Sequence, residues 1–277
     1  MPDQSEVSSH YTQGDLLERI RAGVDALGKT PKELSVDDLA PVDEFHIGGR
    51  QASEDFLSQL ELDASCHVLD VGCGLGGASR FVAERFGARV TGIDLTPEYI
   101  AVGEQLCRWL SLEKRIALHV GSALACPFPD ESFDAAYMMH VGMNIEDKAA
   151  LFRELARVLR PGARIGVYDV MRTGPGELVF PVPWASSAAE SAVATPDAYR
   201  TALEAAGFKV SAERNRREFA IAFFEALAAR AGGASGPPPL GLHLVMGKDT
   251  PIKVANVMEN VRASRVAPVE LVAVRSG

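Results

Sequence analysis

The chain is 277 residues long, 47% hydrophobic and 23% charged, with a formal net charge of −9, the balance of a globular protein sized for one domain with a small appendage. The excess of acids argues against a nucleic-acid substrate, because such binding rests on Lys and Arg neutralising phosphates. There is no apolar run of about 18 residues to cross a membrane, the polar start MPDQSEVSSHYTQGD carries no secretory h-region, and Cys66, Cys73, Cys107 and Cys126 form no C-x-x-C pair, so reduced thiols in the cytoplasm are expected, with neither a metal site nor disulfides.

Leu16, Leu17, Ile20, Val24 and Leu27 recur at helical spacing and predict an amphipathic helix over residues 15–27. A shorter helix is expected over 51–60. Strands and helices then alternate. Residues 66–71 are a short apolar run, a buried strand; 76–86 read as a helix closed by Gly87; 88–93 read as a strand. Thr96-Pro97 supplies an N-cap and a first helical position. Residues 116–120 and 133–139 are strand-like. Asn144 is expected to cap a helix with Leu151, Leu155, Val158 and Leu159 on one face, Pro161-Gly162 to stop it, and residues 164–170 to follow as a strand. Such alternation implies an α/β fold with a parallel sheet covered on both faces. The last third gives a helix from Thr195-Pro196 to Gly207, a strand over 209–213, helices over 218–231 and 250–263, and a final strand, VELVAVR, at 269–275. The stretch AGGASGPPP, residues 231–239, reads as a loop.

The chemistry concentrates after the first strand, in VLDVGCGLGG at residues 68–77. Gly72, Gly74 and Gly77 match G-x-G-x-x-G, and glycines in a strand-to-helix turn let a ligand approach the backbone. Asp94 ends the second strand about 20 residues further on, where a carboxylate can accept both ribose hydroxyls of an adenosine. A dinucleotide and S-adenosylmethionine both fit that pattern. Asp70 favours the second, because a carboxylate there helps bind a methionyl amine, directly or by ordering the loop, and would repel a pyrophosphate.

Four ordered segments carry a resemblance: VLDVGCGLGG, then GIDLT at 92–96, PFPDESFDAAY at 127–137 and ELARVLRPGARIGV at 154–167. The chain resembles the class I S-adenosylmethionine-dependent methyltransferases. The resemblance implies a Rossmann-like class I methyltransferase sheet over residues 61–277, mostly parallel, with VELVAVR as its antiparallel C-terminal strand. It implies S-adenosylmethionine as cofactor and S-adenosylhomocysteine as product. Gly72 and Gly74 would line the methionine moiety, Asp94 hold the ribose and Leu95 pack on the adenine. Ser122 and Ala123 stand where the family often has Asp-Ala.

HYTQGDLLERI at 10–20 and DEFHIGGR at 43–50 are similar to the sarcosine/dimethylglycine and phosphoethanolamine methyltransferase-like small-molecule group. That similarity implies an N-terminal helical lid over residues 1–60, with Phe45 and His46 on the cofactor and Tyr11 on the lid. MMHVGMNIEDK, residues 138–148, follows a core strand at the ligand edge, which turns Met139 and His140 toward the cofactor and Met143 and Asn144 toward the substrate. Asn144 stands where phosphoethanolamine enzymes carry a histidine, which leaves His140 as the candidate catalytic helper. Asp169 ends the next strand, placed either to orient a substrate or to cap a loop. FPVPWA at 180–185, also seen in the sarcosine-like group, sets Trp184 as a roof over the pocket. The expected function is direct methyl transfer to a small-molecule amine, hydroxyl or carbon, without a covalent enzyme intermediate. Two alternatives stay open: a cofactor-binding protein of the same fold repurposed for non-methylating chemistry, and an NAD-linked oxidoreductase. Neither nucleic acid nor membrane is an expected partner, and the oligomeric state is left open.

Overall fold

The computed structural model describes residues 4–12, 14–231 and 236–277. Four helices precede the sheet: α1 (Gln4–Tyr11), α2 (Leu16–Ala26), α3 (Val36–Asp43) and α4 (Gly49–Leu57). The alternating core follows as β1 (His67–Val71), α5 (Gly77–Arg85), β2 (Arg89–Asp94), α6 (Pro97–Trp109), β3 (Ile116–Val120), β4 (Phe133–Met139), α7 (Lys148–Val158) and β5 (Leu159–Arg172). The chain closes with α8 (Pro196–Ala205), β6 (Phe208–Asn215), α9 (Arg217–Ala231), α10 (His243–Met246), α11 (Thr250–Arg262) and β7 (Val266–Arg275).

The seven strands form one sheet in the order β3-β2-β1-β4-β5-β7-β6. The first five pair in parallel, and β7 runs antiparallel to both β5 and β6. Residues of β1 alternate between two cores. Leu69 and Val71 join Leu151, Leu155 and Leu203 on the α7–α8 side, while Val68 joins Phe56 and Val82 on the α4–α5 side. A strand buried on both faces needs an apolar run rather than strict alternation, which is why residues 66–71 read so clearly.

Local expectations meet their limits at three boundaries. Asn144 does not cap α7: it ends a short 3₁₀ turn, Gly142–Asn144, and the cap is Asp147, whose carboxylate accepts from Ala150 N at 2.7 Å. A carboxylate accepts an N-terminal N–H better than an amide does, and it also meets the positive end of the helix dipole. Thr96 holds the N-cap position of α6 without a side-chain bond to the helix. Its N–H donates to Asp94 Oδ1 instead, at 2.8 Å. Pro161-Gly162 lies inside β5 at a register shift, with Gly162 at φ 81°, rather than at the helix end.

The segment 1–60 divides in two. α3 and α4 are built into the core. Gly166 on β5 leaves the space that the Phe56 ring fills, since a Cβ there would meet Phe56 Cζ at 2.6 Å. Arg80 of α5 is fully buried and ion-paired with Asp43 of α3 at 2.5 Å. Breaking such a buried pair typically costs about 3–5 kcal/mol. α1 lies instead over the crevice at the carboxyl ends of the strands, tied down by a bond from Gln4 Nε2 to Ser122 Oγ at 2.9 Å. No helix among the described residues is long and apolar enough to cross a membrane.

Candidate active site

In a doubly wound sheet the ligand crevice opens where the strand order reverses. Here that point is between β1 and β4, and a cavity of about 1860 Å³ opens there. Its sheet-side wall includes Asp70, Gly72, Gly74, Asp94, Leu95 and Met139. Phe45, His46, Ser122, Ala123 and His140 flank them, and Tyr11, Met143, Asn144 and Trp184 also line it. Of the site residues expected from sequence, only Asp169 stays outside the cavity wall.

The glycines have different tasks. Gly74, at φ 53°, faces open space: a Cβ there would find only Tyr99 Cδ2, at 4.0 Å. Its backbone is therefore the part of the loop that a ligand can approach. Gly72, at φ 69°, is packed beneath Val141, which a Cβ would strike. Gly77 makes room for Asp43, whose Oδ1 a Cβ would meet at 2.8 Å. The third glycine of the motif thus serves the docking of α3 onto α5.

Asp94 folds the loop onto itself. Its Oδ2 accepts from Gly74 N at 2.9 Å and its Oδ1 from Thr96 N. Burial pushes its carboxyl above the ordinary range, and the backbone donors oppose that shift. Asp70 Oδ2 accepts from Ser79 Oγ at 2.6 Å and Tyr137 Oη at 2.9 Å. Burial drives Asp70 up to about 7, against those two hydroxyls and with the charge of Asp94 adding to the rise. A carboxylate so placed ionises readily once a cation comes beside it.

The two histidines of the cavity wall differ in what their ring nitrogens meet. His140, at φ 57°, has both ring nitrogens engaged: Nε2 accepts from Ile47 N at 3.3 Å, and Nδ1 faces Tyr168 O at 3.3 Å. Burial, with the charge of nearby His46, pushes it down to about 3. With its Nε2 lone pair occupied and its basicity suppressed, His140 is poorly placed for the catalytic part expected of it. His46 is different. Its Nε2 lies 2.7 Å from Glu44 Oε2 and 3.1 Å from Ser53 Oγ, and Ser53 Oγ donates to the same carboxylate oxygen at 2.5 Å. Burial alone would raise Glu44, but the bonds and charges of His46 and Arg50 and the Ser53 bond bring it below the usual range. An ionised Glu44 fixes the proton on Nε2 of His46. Nδ1 is buried and has no hydrogen-bond partner among the described residues. Glu44 lacks a sequence signature of its own; the i, i+2 spacing to His46 is common.

Tyr11 and Asn144, expected separately on the substrate side, share the cavity wall, where the Asn144 amide opposes the rise of the Tyr11 hydroxyl. Burial raises the Tyr11 hydroxyl well above its ordinary value, with Asp94 and Asp169 adding to the shift, so it stays protonated. Its ring meets Phe45 edge-on, with centroids 6.2 Å apart. Trp184 is buried and donates Nε1–H to Ser191 Oγ at 3.0 Å.

Asp169 corrects another expectation. It is fully buried beneath the 142–144 turn, accepting from Tyr199 Oη at 2.6 Å and from Val170 N at 2.9 Å. Burial raises it to about 6, with Tyr199 and Lys148 opposing. A Cβ on Gly142 would strike both Asp169 and Tyr199. Asp169 therefore packs beneath the turn that carries Met143 and Asn144, outside the cavity wall.

Strand order, crevice and acid-glycine loop together define a Rossmann-like class I methyltransferase fold. Residues 68–162 match the family model described as a methyltransferase domain. The chain is 31% identical over 170 residues to methyltransferase GfsG of Streptomyces halstedii, covering 61% of this chain and 59% of the relative. It is 35% identical over 126 residues to phosphoethanolamine N-methyltransferase 1 of Arabidopsis thaliana, covering 46% of this chain and 25% of the relative. It thus spans little more than half the length of the first and a quarter of the second. Among solved structures, a geranyl diphosphate C-methyltransferase from Streptomyces coelicolor A3(2) superposes with a TM-score of 0.71 at 19% identity, covering 99% of this chain and 98% of that one. At that identity the likeness establishes the fold.

Proposed function

We propose that this protein transfers a methyl group from S-adenosylmethionine to a small-molecule acceptor by direct displacement. One observation carries the reading: at the crossover of the sheet, an open-faced Gly74 lies between two carboxylates, the buried Asp70 and the half-buried Asp94, within one cavity. The set fits S-adenosylmethionine. Asp70 meets the methionyl ammonium, and Gly74 leaves room for the chain beside it. Asp94 accepts the ribose hydroxyls, while Leu95 and Ala123 enclose the adenine with the Ser122 hydroxyl at its edge. Two adjacent acids disfavour the pyrophosphate of a dinucleotide. The relatives' printed activities, N-methylation among them, point the same way.

The cofactor supplies an activated methyl group on a cationic sulfur. What the chain adds is alignment, which can lower a barrier by up to about 7–11 kcal/mol, and a place for a proton. His46 takes that proton on Nδ1 while Glu44 holds the ring and stabilises the imidazolium. A hydroxyl or carbon acid needs such a base, whereas a neutral amine attacks without one. Tyr11, Asn144 and Met143 border the acceptor, and α1 covers it. The acidic chain and its free thiols fit a cytoplasmic enzyme working on free small molecules rather than on nucleic acid.

Calorimetry tests the reading. S-adenosylmethionine and S-adenosylhomocysteine should give saturable heat, Asp94→Ala should abolish it, and NADH should give none. Heat from NADH alone would overturn the assignment.

A further inference from the structure

The cavity is too large and too greasy for the polar amines that the N-terminal motifs call to mind. Ligand pockets usually measure about 300–1,000 Å³, and this one holds about 1860 Å³. The sheet-side wall accounts for the cofactor. The remainder is walled by the C-terminal helices and their connection. α9 contributes Phe223, Phe224 and Leu227, the 236–251 stretch contributes three prolines, and α11 contributes Val254 and Val257. α9 explains why this wall exists: Ala220 and Phe224 are buried in the core, while Leu227 is 42% exposed although it lines the cavity. A helix that is apolar on more than one side has two surfaces to cover, and the core covers only one of them.

The charged groups of the lining complete the case. Arg50 is paired with Glu44 at 2.7 Å and Arg19 with Asp15 at 2.8 Å, while Lys248, Glu146 and Asp147 are exposed residues. Each lining arginine already has a carboxylate as its charge partner, although Arg19 Nε and Nη2 and Arg50 Nε and Nη1 make no hydrogen bond among the described residues. Trp184 is buried with its N–H bound to Ser191 Oγ, so it offers the cavity an apolar ring rather than a free donor.

We infer that the acceptor is a bulky, largely hydrocarbon molecule that seats its skeleton against α9, α11 and residues 236–251, and presents one acidic hydroxyl or carbon toward His46. This deepens the methyltransferase reading and rests on it. Burying a skeleton of that kind is driven by area removed from water and is insensitive to the exact pattern of polar atoms. The reacting end alone then carries the polar selection, at His46, Tyr11 and Asn144.

A graded ligand series tests the inference. The full chain is first titrated with S-adenosylhomocysteine in a calorimeter, then, in its presence, with 4-ethyl-, 4-butyl-, 4-hexyl- and 4-octylphenol, with phosphoethanolamine and with sarcosine. Affinity for the phenols should rise by up to about fourfold per added methylene, the value of one buried CH₂, and the two polar amines should not bind. Leu227→Glu, at a half-exposed position where folding is safe, should flatten the chain-length dependence and leave S-adenosylhomocysteine affinity unchanged; Val254→Asp repeats the test from α11. If S-adenosylhomocysteine binds but phosphoethanolamine or sarcosine binds better than octylphenol, or affinity does not grow with chain length, the inference fails and the methyltransferase reading survives. If S-adenosylhomocysteine gives no heat, both fall.

Discussion

The two walls of the cavity are built by opposite means. On the sheet side, each carboxylate is fixed by donors before any ligand arrives: Asp70 by Ser79 and Tyr137, Asp94 by Gly74 and Thr96. On the helical side, α9 and α11 are held by packing among Trp184, Val170, Phe224, Val257 and Val261. Preorganised polar groups suit a ligand of constant shape and charge. A wall of apolar side chains tolerates exchange of size and shape, so it can be retuned for another acceptor without disturbing the first wall. His46 sits where the two walls meet.

That division can be broken experimentally, and the largest effect is expected at the seam. His46→Asn should lower kcat by about a hundredfold or more, the usual worth of a positioned base, while leaving S-adenosylhomocysteine affinity nearly unchanged. His140→Asn should cost much less turnover, because both of its nitrogens already serve the backbone. Equal losses in the two variants would erase the distinction between them.

The next effect belongs to the sheet wall alone. Asp70 lies near 7 because of burial, so its carboxylate, the form that attracts an ammonium, is lost as pH falls through that value. From pH 7.5 to pH 6, S-adenosylmethionine affinity should drop roughly eightfold, the loss expected of one group titrating at 7. Alkylphenol affinity should stay flat over the same interval. In Asp70→Asn the cofactor's pH dependence should vanish. A parallel decline of both ligands would mean that the walls are not independent.

The smallest effect probes the support of the acceptor side. Tyr199→Phe removes one donor from the buried Asp169 carboxylate and should destabilise the fold by about 1 kcal/mol, the low end for a buried group left short of a partner. The melting temperature should fall by a few degrees, and acceptor KM should rise with little change in cofactor affinity, since the 142–144 turn carries Met143 and Asn144. A change confined to cofactor affinity would place Asp169 in the other wall.

Much of the sheet wall was legible in the residues. An apolar run before glycines, an acid two positions ahead of them and another at the next strand end are local patterns whose geometry follows from strand-turn-helix stereochemistry. Their task assignments were less legible: that Gly77 serves Asp43 and Gly72 serves Val141 depends on partners 34 and 69 positions away in the chain. The same holds for Asp169. A strand-end carboxylate looks identical in sequence whether it faces a ligand or, as here, a tyrosine thirty positions later.

What the sequence determined by itself was the order of strands and helices and the acids and glycines that line the crevice at the sheet's crossover, because each follows from short-range periodicity and backbone geometry. What only the tertiary structure decided was which histidine keeps a free nitrogen, which acid is a prop rather than a contact, and how much greasy space remains beyond the cofactor. Those are properties of surfaces brought together from distant parts of the chain: Glu44 beside His46 and Ser53, Ile47 against His140, α9 and α11 facing α1. Hydrogen-bond occupancy and cavity volume exist only once those surfaces meet.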